Sequence, residues 1–179
     1  SDHMGDALAL AKKYQPHIIT IFEISLWLEG KGVGNLHPMG KGGTQTLEGV
    51  TVTMTQAHHS SSILDEGKMV YAGEPAGYVI QFSTGYRMYH AGDTALFGDM
   101  KLIGELYRPK LALLPIGDLF TMGPQEAAHA AKLLRVREVV PMHFGTFPLL
   151  TGTVEAFKQE VRRVANAKVI DLKPGKPQS

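Results

Sequence analysis

Residues 78–94 constrain the fold of this chain more than any other segment. Two runs typical of β-strands, at 78–82 and 86–89, are joined by a turn at 83–85. The second strand ends at Gly92-Asp93. A carboxylate beside a glycine at a strand end can face a cleft with no side chain in its way. Most strand-end aspartates cap turns, so the interpretation of Asp93 as a site residue depends on other segments of the sequence.

Three other segments place aspartate or histidine where an apolar or β-branched run gives way to a polar or glycine-rich turn. They contain Asp2-His3, His58-His59 and His143. Four such endings can converge on one rim of a sandwich, which predicts a site there. Neighbouring side chains of a strand point in opposite directions. Only one of the two adjacent histidines is therefore expected to enter a given site.

The absence of cysteine determines what kind of metal site the chain can build. The 179 residues contain no Cys, which excludes disulfides and thiolate ligands. Histidine and carboxylate would have to hold any metal, and this donor set suits an exchangeable catalytic ion better than a closed structural one. With 44% hydrophobic and 20% charged residues, the chain is predicted to form a single domain over residues 1–179.

The charge balance gives no sign of a nucleic-acid or membrane partner, since the net charge is +1. No apolar run approaches the length of a transmembrane helix. We therefore expect a cytoplasmic protein with a small-molecule substrate. We also expect it to associate either with itself or with an N-terminal fragment of the same protein.

Hydrophobic periodicity predicts helices and strands that alternate along the chain, which is an α/β (α+β) pattern. The predicted helices are 5–13, 23–29, 94–106, 124–135 and 154–165. The predicted strands are 17–22, 44–47, 50–55, 69–72, 77–82, 86–89, 110–115, 138–141 and 168–172. Loops are predicted at 34–43, 63–68 and 116–122, the last with Phe120 and Met122 as exposed tips that line a pocket.

With these residues identified, the chain resembles the metallo-β-lactamase superfamily, in particular its small bacterial and archaeal group of metal-dependent hydrolases. The resemblance covers nearly the whole chain. It rests on residues 2–7, 57–61, 73–77, 90–94, 114–117 and 141–147. The fold that it implies is the αββα four-layer sandwich of that superfamily.

The resemblance also implies a set of metal ligands. Asp2, His3 and His143 would bind a second metal ion, and Asp93 would bridge both ions. His59 would bind the first ion, because relatives use the fifth position of a Thr-x-Ala-x-His pattern that residues 55–59 match. Asp2 would also be catalytic, by orienting the nucleophile or carrying its proton. Two further histidines are expected to support the ligands or to replace one of them: His58 and His90.

The superfamily's leading motif, His-x-His-x-Asp-His, is only partly present in this sequence. Ser1-Asp2-His3 matches its end, and its two earlier histidines are not in the sequence. We therefore expect the chain to be a C-terminal portion that holds the first metal ion incompletely.

The expected chemistry is hydrolysis with two divalent ions, zinc in the first instance and manganese or iron as alternatives. Two ions about 3.5–4 Å apart lower the pKa of a bridging water and supply hydroxide at neutral pH. The expected substrate is an ester, lactone, amide or phosphodiester. The alternative is a degenerate metal-binding or interaction module without catalysis. A Rossmann-like nucleotide site is excluded, because no Gly-x-Gly-x-x-Gly follows a strand.

Overall fold

The computed structural model describes residues 3–176. Five α-helices lie within this range. They are α1 (Ala7–Tyr14), α2 (Phe22–Gly30), α3 (Met100–Tyr107), α4 (Pro124–Leu134) and α5 (Val154–Val164).

Eleven β-strands lie within the same range. The first six are β1 (Ile18–Ile21), β2 (Leu36–Met39), β3 (Thr44–Leu47), β4 (Val50–Gln56), β5 (Ser62–Asp65) and β6 (Lys68–Tyr71). The others are β7 (Ala76–Gln81), β8 (Arg87–His90), β9 (Leu111–Pro115), β10 (Glu138–Met142) and β11 (Lys168–Val169).

Seven of these strands form one mixed sheet in the order β11-β10-β9-β8-β7-β4-β3. Strands β8, β9 and β10 are parallel, whereas β7 is antiparallel to both of its neighbours, β4 and β8. Strand β4 therefore runs in the same direction as β8, β9 and β10. The carboxyl ends of these four strands meet at one edge of the sheet, and the loops that leave them carry the candidate site.

The elements stack in four layers. Helices α3, α4 and α5 cover one face of the seven-stranded sheet, where Tyr89, Leu114 and Phe157 are fully buried. The parallel pair β1-β2 lies against the other face, since Gln45 of β3 donates to the His37 carbonyl at 3.2 Å and to the Met39 sulfur at 3.4 Å. Helices α1 and α2 pack on β1-β2 in a second apolar cluster. This arrangement confirms the predicted αββα sandwich.

Helix α5 shows how the sequence determines one of these layers. Thr153 caps its first turn by accepting a hydrogen bond from the Ala156 N–H at 3.2 Å. Val154, Phe157 and Val161 recur at the spacing of one helix face, and all three are buried. The helix is therefore held by a cap and by an apolar stripe that faces the sheet.

The structure corrects several sequence predictions. The predicted loop at 34–43 contains β2, and the predicted loop at 63–68 contains most of β5 and the start of β6. The helix predicted from residue 94 begins only at Met100, because the preceding backbone bonds to other loops. Met122 is a buried residue and not an exposed tip, whereas Phe120 is exposed as predicted.

Candidate metal centre

Three candidate ligands come together at the carboxyl edge of the sheet: His3, Asp93 and His143. One ligand atom from each lies within 4.8 Å of the others. Both imidazoles face the same carboxylate oxygen, with His3 Nε2 at 2.7 Å and His143 Nε2 at 3.2 Å from Asp93 Oδ2. The two rings are stacked, with centroids 5.9 Å apart. We call these residues the His-Asp-His cluster.

Asp93 reaches this position through a turn that requires glycine. Strand β8 ends at His90, and Gly92 then adopts a left-handed conformation with φ of +64°. A Cβ at Gly92 would lie only 2.6 Å from the Ala76 carbonyl oxygen. The turn leaves the Asp93 side chain largely buried, at 12% exposure, and aimed into the cluster.

His143 follows β10 directly and is also held in a left-handed conformation, with φ of 52°. Such a conformation costs a non-glycine residue about 1–3 kcal/mol, so the surrounding structure must maintain it. Its carbonyl oxygen lies so close to Gly117 that a Cβ on Gly117 would overlap it. The loop after β9 therefore supports the backbone that presents His143.

His59 lies beside the cluster but is not one of its three members. Its Nδ1 is 2.8 Å from the Ser60 carbonyl oxygen, and its Nε2 is 3.0 Å from the Phe120 carbonyl oxygen. A neutral imidazole has one N–H and can donate to only one of these acceptors. The ring lines the same cavity as the cluster. Its role as a ligand stays a prediction.

The other two histidines have different surroundings. The His58 ring stacks on Phe97, with centroids 4.8 Å apart, and does not join the cluster. His90 accepts a hydrogen bond from the Gly92 N–H at its Nδ1, at 3.1 Å, which occupies that nitrogen. Burial lowers the pKa of His90, and the nearby Asp93 carboxylate partly opposes this effect.

Asp2 lies outside the described residues, so its role also stays a prediction.

Thr94 is a site residue that the sequence reasoning did not single out. Its buried hydroxyl accepts the His58 N–H at 2.9 Å and donates to the Ala95 carbonyl at 2.8 Å. Its own carbonyl accepts the Met122 N–H at 3.2 Å. One residue thus connects the loops that follow β4, β8 and β9. The sequence feature that could have identified Thr94 is its position directly after a strand-end aspartate.

Replacing Thr94 with valine should destabilise the protein. The shape is retained, but the His58 N–H loses the buried hydroxyl that accepts its hydrogen bond, and the free energy of unfolding should fall by about 1–3 kcal/mol. Denaturant unfolding measures this change. Thr151 is exposed, so Thr151→Val is a matched control that should leave stability nearly unchanged. Equal stabilities for the two variants would contradict the role assigned to Thr94.

The donor set of the cluster fits a divalent cation. Imidazole and carboxylate suit zinc, and also manganese or iron. The two separations of 2.7 and 3.2 Å are close to the about 3.3 Å between ligand atoms that bond lengths of about 2.0–2.1 Å give in a tetrahedral site. His3 is 59% exposed and can adjust, whereas Asp93 and His143 are fixed by their turns.

Comparisons with known proteins identify the class to which this fold and cluster belong. The family model described as "Beta-lactamase superfamily domain" matches residues 1–144. A "UPF0173 metal-dependent hydrolase" of Solibacter usitatus is 53% identical over 98% of this chain and 76% of its own length. A protein of the same description from Rubrobacter xylanophilus is 52% identical over 97% of this chain and 73% of its own length.

A solved structure agrees with these relatives. Igni18, described as a novel metallo hydrolase from the archaeon Ignicoccus hospitalis, superposes with a TM-score of 0.87. It is 40% identical, and the match covers 98% of this chain and 73% of that one. The fold and cluster define a metal-dependent hydrolase of the β-lactamase superfamily. Within it, the chain belongs to the UPF0173 family of metal-dependent hydrolases.

Among residues 3–176, no helix is both long enough and apolar enough to cross a lipid bilayer.

Proposed function

We propose that the protein hydrolyses a small molecule with the help of two divalent metal ions, zinc foremost. The observation that carries this proposal is the single Asp93 carboxylate oxygen that faces both His3 Nε2 and His143 Nε2. A carboxylate between two imidazoles at a cavity wall is a metal-binding arrangement. The 59% exposure of His3 leaves its ring accessible to an ion that enters from the cavity.

The residues of the chain have distinct roles in this proposal. Asp93, His3 and His143 would hold one ion, and Asp93 with His59 would contribute to the other. A divalent ion bound there lowers the pKa of a coordinated water to near neutrality. His90 supports the turn that orients Asp93, through its bond with the Gly92 N–H. Asp2 would orient the attacking water or carry its proton.

The reaction adds the oxygen of one water to the carbonyl carbon or phosphorus of the substrate. The bond to the leaving group breaks with its electron pair, and a proton from the water passes to the leaving atom. The cavity that adjoins the cluster has a volume of about 440 Å³, which is the size of a small-molecule site. An ester, lactone, amide or phosphodiester therefore remains the proposed substrate class.

Metal removal tests the proposed function. The protein is stripped with a chelator and reloaded separately with Zn²⁺, Mn²⁺ or Fe²⁺, and metal content and hydrolysis of a substrate panel are measured. We expect one ion held tightly by the His-Asp-His cluster, a second ion held weakly, and hydrolysis that depends on added metal. Full activity in the metal-free protein would contradict the proposal. Two bound ions without hydrolysis of any substrate would favour a non-catalytic metal-binding module.

Three further expectations stay predictions. They are a cytoplasmic location, no nucleic-acid or membrane partner, and association of the chain with itself or with an N-terminal fragment.

A further inference from the structure

The cavity beside the His-Asp-His cluster has a wall that the proposed chemistry does not explain. Met4, Ile24 and Ile63 form part of this wall, together with two phenylalanines, Phe120 and Phe147. The cluster needs only polar ligands and a water molecule. An apolar wall of this extent indicates that part of the occupant is itself apolar.

The two phenylalanines stand at the rim and are largely open to solvent. Phe120 is 56% exposed and Phe147 is 51% exposed. They come from different loops, one after β9 and the other after β10. Two aromatic rings on different loops, both lining one cavity, can cover an apolar group that enters between them.

The backbone conformation just before Phe120 is one that the surrounding structure must maintain. Asp118 and Leu119 both have left-handed conformations, with φ of 67° and 55°. Left-handed non-glycine residues cluster at binding sites, where the surrounding structure maintains the strain. The carbonyl of Phe120 is also 3.0 Å from His59 Nε2. The loop thus holds the backbone of Phe120 at the rim, with its carbonyl against the candidate ligand His59.

The charges of the residues that line the cavity also favour an uncharged occupant. Among the described residues that line the cavity, none is lysine or arginine, and the only acid is Asp93. The other polar groups are histidines of the site and the uncharged Ser60, Ser61 and Ser62. Apart from the proposed metal ions, the described lining therefore offers no cation to pair with a carboxylate or phosphate on the occupant, away from the hydrolysed bond.

We propose that the part of the substrate not hydrolysed is an uncharged, apolar group of about the size of one ring, held between Phe120 and Phe147. This rests on the proposed hydrolase function and narrows its substrate class. It excludes nucleotides, oligonucleotides and other compounds with additional negative charges. The bond that is broken then lies at the inner end of the cavity, beside the cluster.

A pair of esters with the same leaving group tests this proposal. We compare methyl phenylacetate with the monomethyl ester of glutaric acid on the metal-loaded protein and follow hydrolysis by the release of acid. The phenylacetate should be favoured in kcat/KM by about tenfold or more, because an apolar group gains from burial and a carboxylate does not. Phe120→Ala and Phe147→Ala should each lower kcat/KM for methyl phenylacetate about fivefold to tenfold, which is a larger loss than for methyl acetate, because methyl acetate has no ring to bury.

A matched control removes the same ring elsewhere. Phe82 is 39% exposed and follows β7 at the other end of the sheet, so Phe82→Ala should not alter either rate. Equal or faster turnover of the glutarate would overturn the proposal. So would phenylacetate rates that are unaffected by both rim variants.

Binding to the metal-free protein separates this proposal from the proposed function. Saturation-transfer NMR compares phenylacetamide with succinamate, and signals are expected for phenylacetamide alone. The signal should weaken in Phe120→Ala and Phe147→Ala and persist in Phe82→Ala. Absence of hydrolysis in the ester assay would count against the proposed function, while this NMR experiment would still decide the nature of the cavity. Stronger binding of succinamate would overturn the inference even if the protein is an active hydrolase.

Discussion

Asp93→Ala should abolish tight metal binding and hydrolytic activity together. The Asp93 carboxylate oxygen lies between His3 Nε2 at 2.7 Å and His143 Nε2 at 3.2 Å. Its removal leaves two imidazoles, one of them largely exposed, which is fewer ligands than catalytic zinc usually has. The loss in metal affinity should exceed the about 10- to 100-fold that follows removal of an outer hydrogen-bonding partner. Metal content after dialysis and kcat/KM measure the two effects.

Two controls make the Asp93 result specific. Asp99 is an exposed carboxylate that accepts a hydrogen bond from Gln56, outside the cluster, so Asp99→Ala removes the same chemical group from another site. His129 lies within α4 and is not a member of the cluster, so His129→Ala should also change little. If Asp99→Ala or His129→Ala lost as much metal as Asp93→Ala, the assignment of the cluster would be wrong.

Gly117→Ala should damage both stability and the metal centre. The added methyl group would overlap the His143 carbonyl oxygen and lie 3.2 Å from Leu150 Cδ2. Overpacking of this kind typically lowers the free energy of unfolding by about 1–3 kcal/mol. Relief of the overlap moves the backbone that holds His143, so metal affinity should fall as well. Thermal unfolding in the presence and absence of zinc measures both changes.

Gly98 provides the matched control for Gly117. It lies in the loop between Asp93 and α3, where an added methyl group would meet no atom within 4 Å and where φ is not left-handed. Gly98→Ala should therefore leave stability and metal affinity close to those of the unaltered protein. If Gly117→Ala matched Gly98→Ala in both measurements, the close contact between Gly117 and His143 would not be needed to position His143.

Strands with local signals can be predicted well from the sequence. The hairpin of β3 and β4 is predictable because Glu48-Gly49 interrupts two β-branched runs, and both residues do adopt positive φ, at 49° and 82°. The hairpin of β5 and β6 has a similar dipeptide, Glu66-Gly67, with φ of 49° and 79°. Its first strand is predicted as a loop because the segment is short and carries few β-branched residues.

Strand β2 could not be predicted from its own residues. It contains a proline and lies between glycines, which favours a loop. It becomes a strand because β1 supplies a parallel partner, with Ile18 beside Leu36. The hydrophobic pattern of residues 23–29 also predicts Leu26 on the buried side of α2, with Ile24 and Trp27. This is wrong for Leu26, which is 51% exposed, because the layer buries Leu28 and Ser25 instead.

The residues of the candidate site also differ in how well the sequence alone could locate them. Asp93 and His143 could be located from the sequence because each follows a strand whose carboxyl end lies at the shared edge. His3 was a candidate from its position beside Asp2, before a predicted helix, but its role as a ligand depended on the family resemblance. The hydrogen bonds of Thr94 and the carbonyl of Phe120 depend on how separate loops meet, which periodicity does not encode.

The direction of the strands also determines where the protein can be altered without affecting its chemistry. Because the cluster lies at the carboxyl ends of β4, β8, β9 and β10, the turn at residues 83–85 lies at the opposite end of the sheet. All three residues of this turn are exposed. A fluorophore, an affinity peptide or an immobilisation linker belongs in this turn, since exposed loop tips accept insertions and the cavity would keep its opening to solvent.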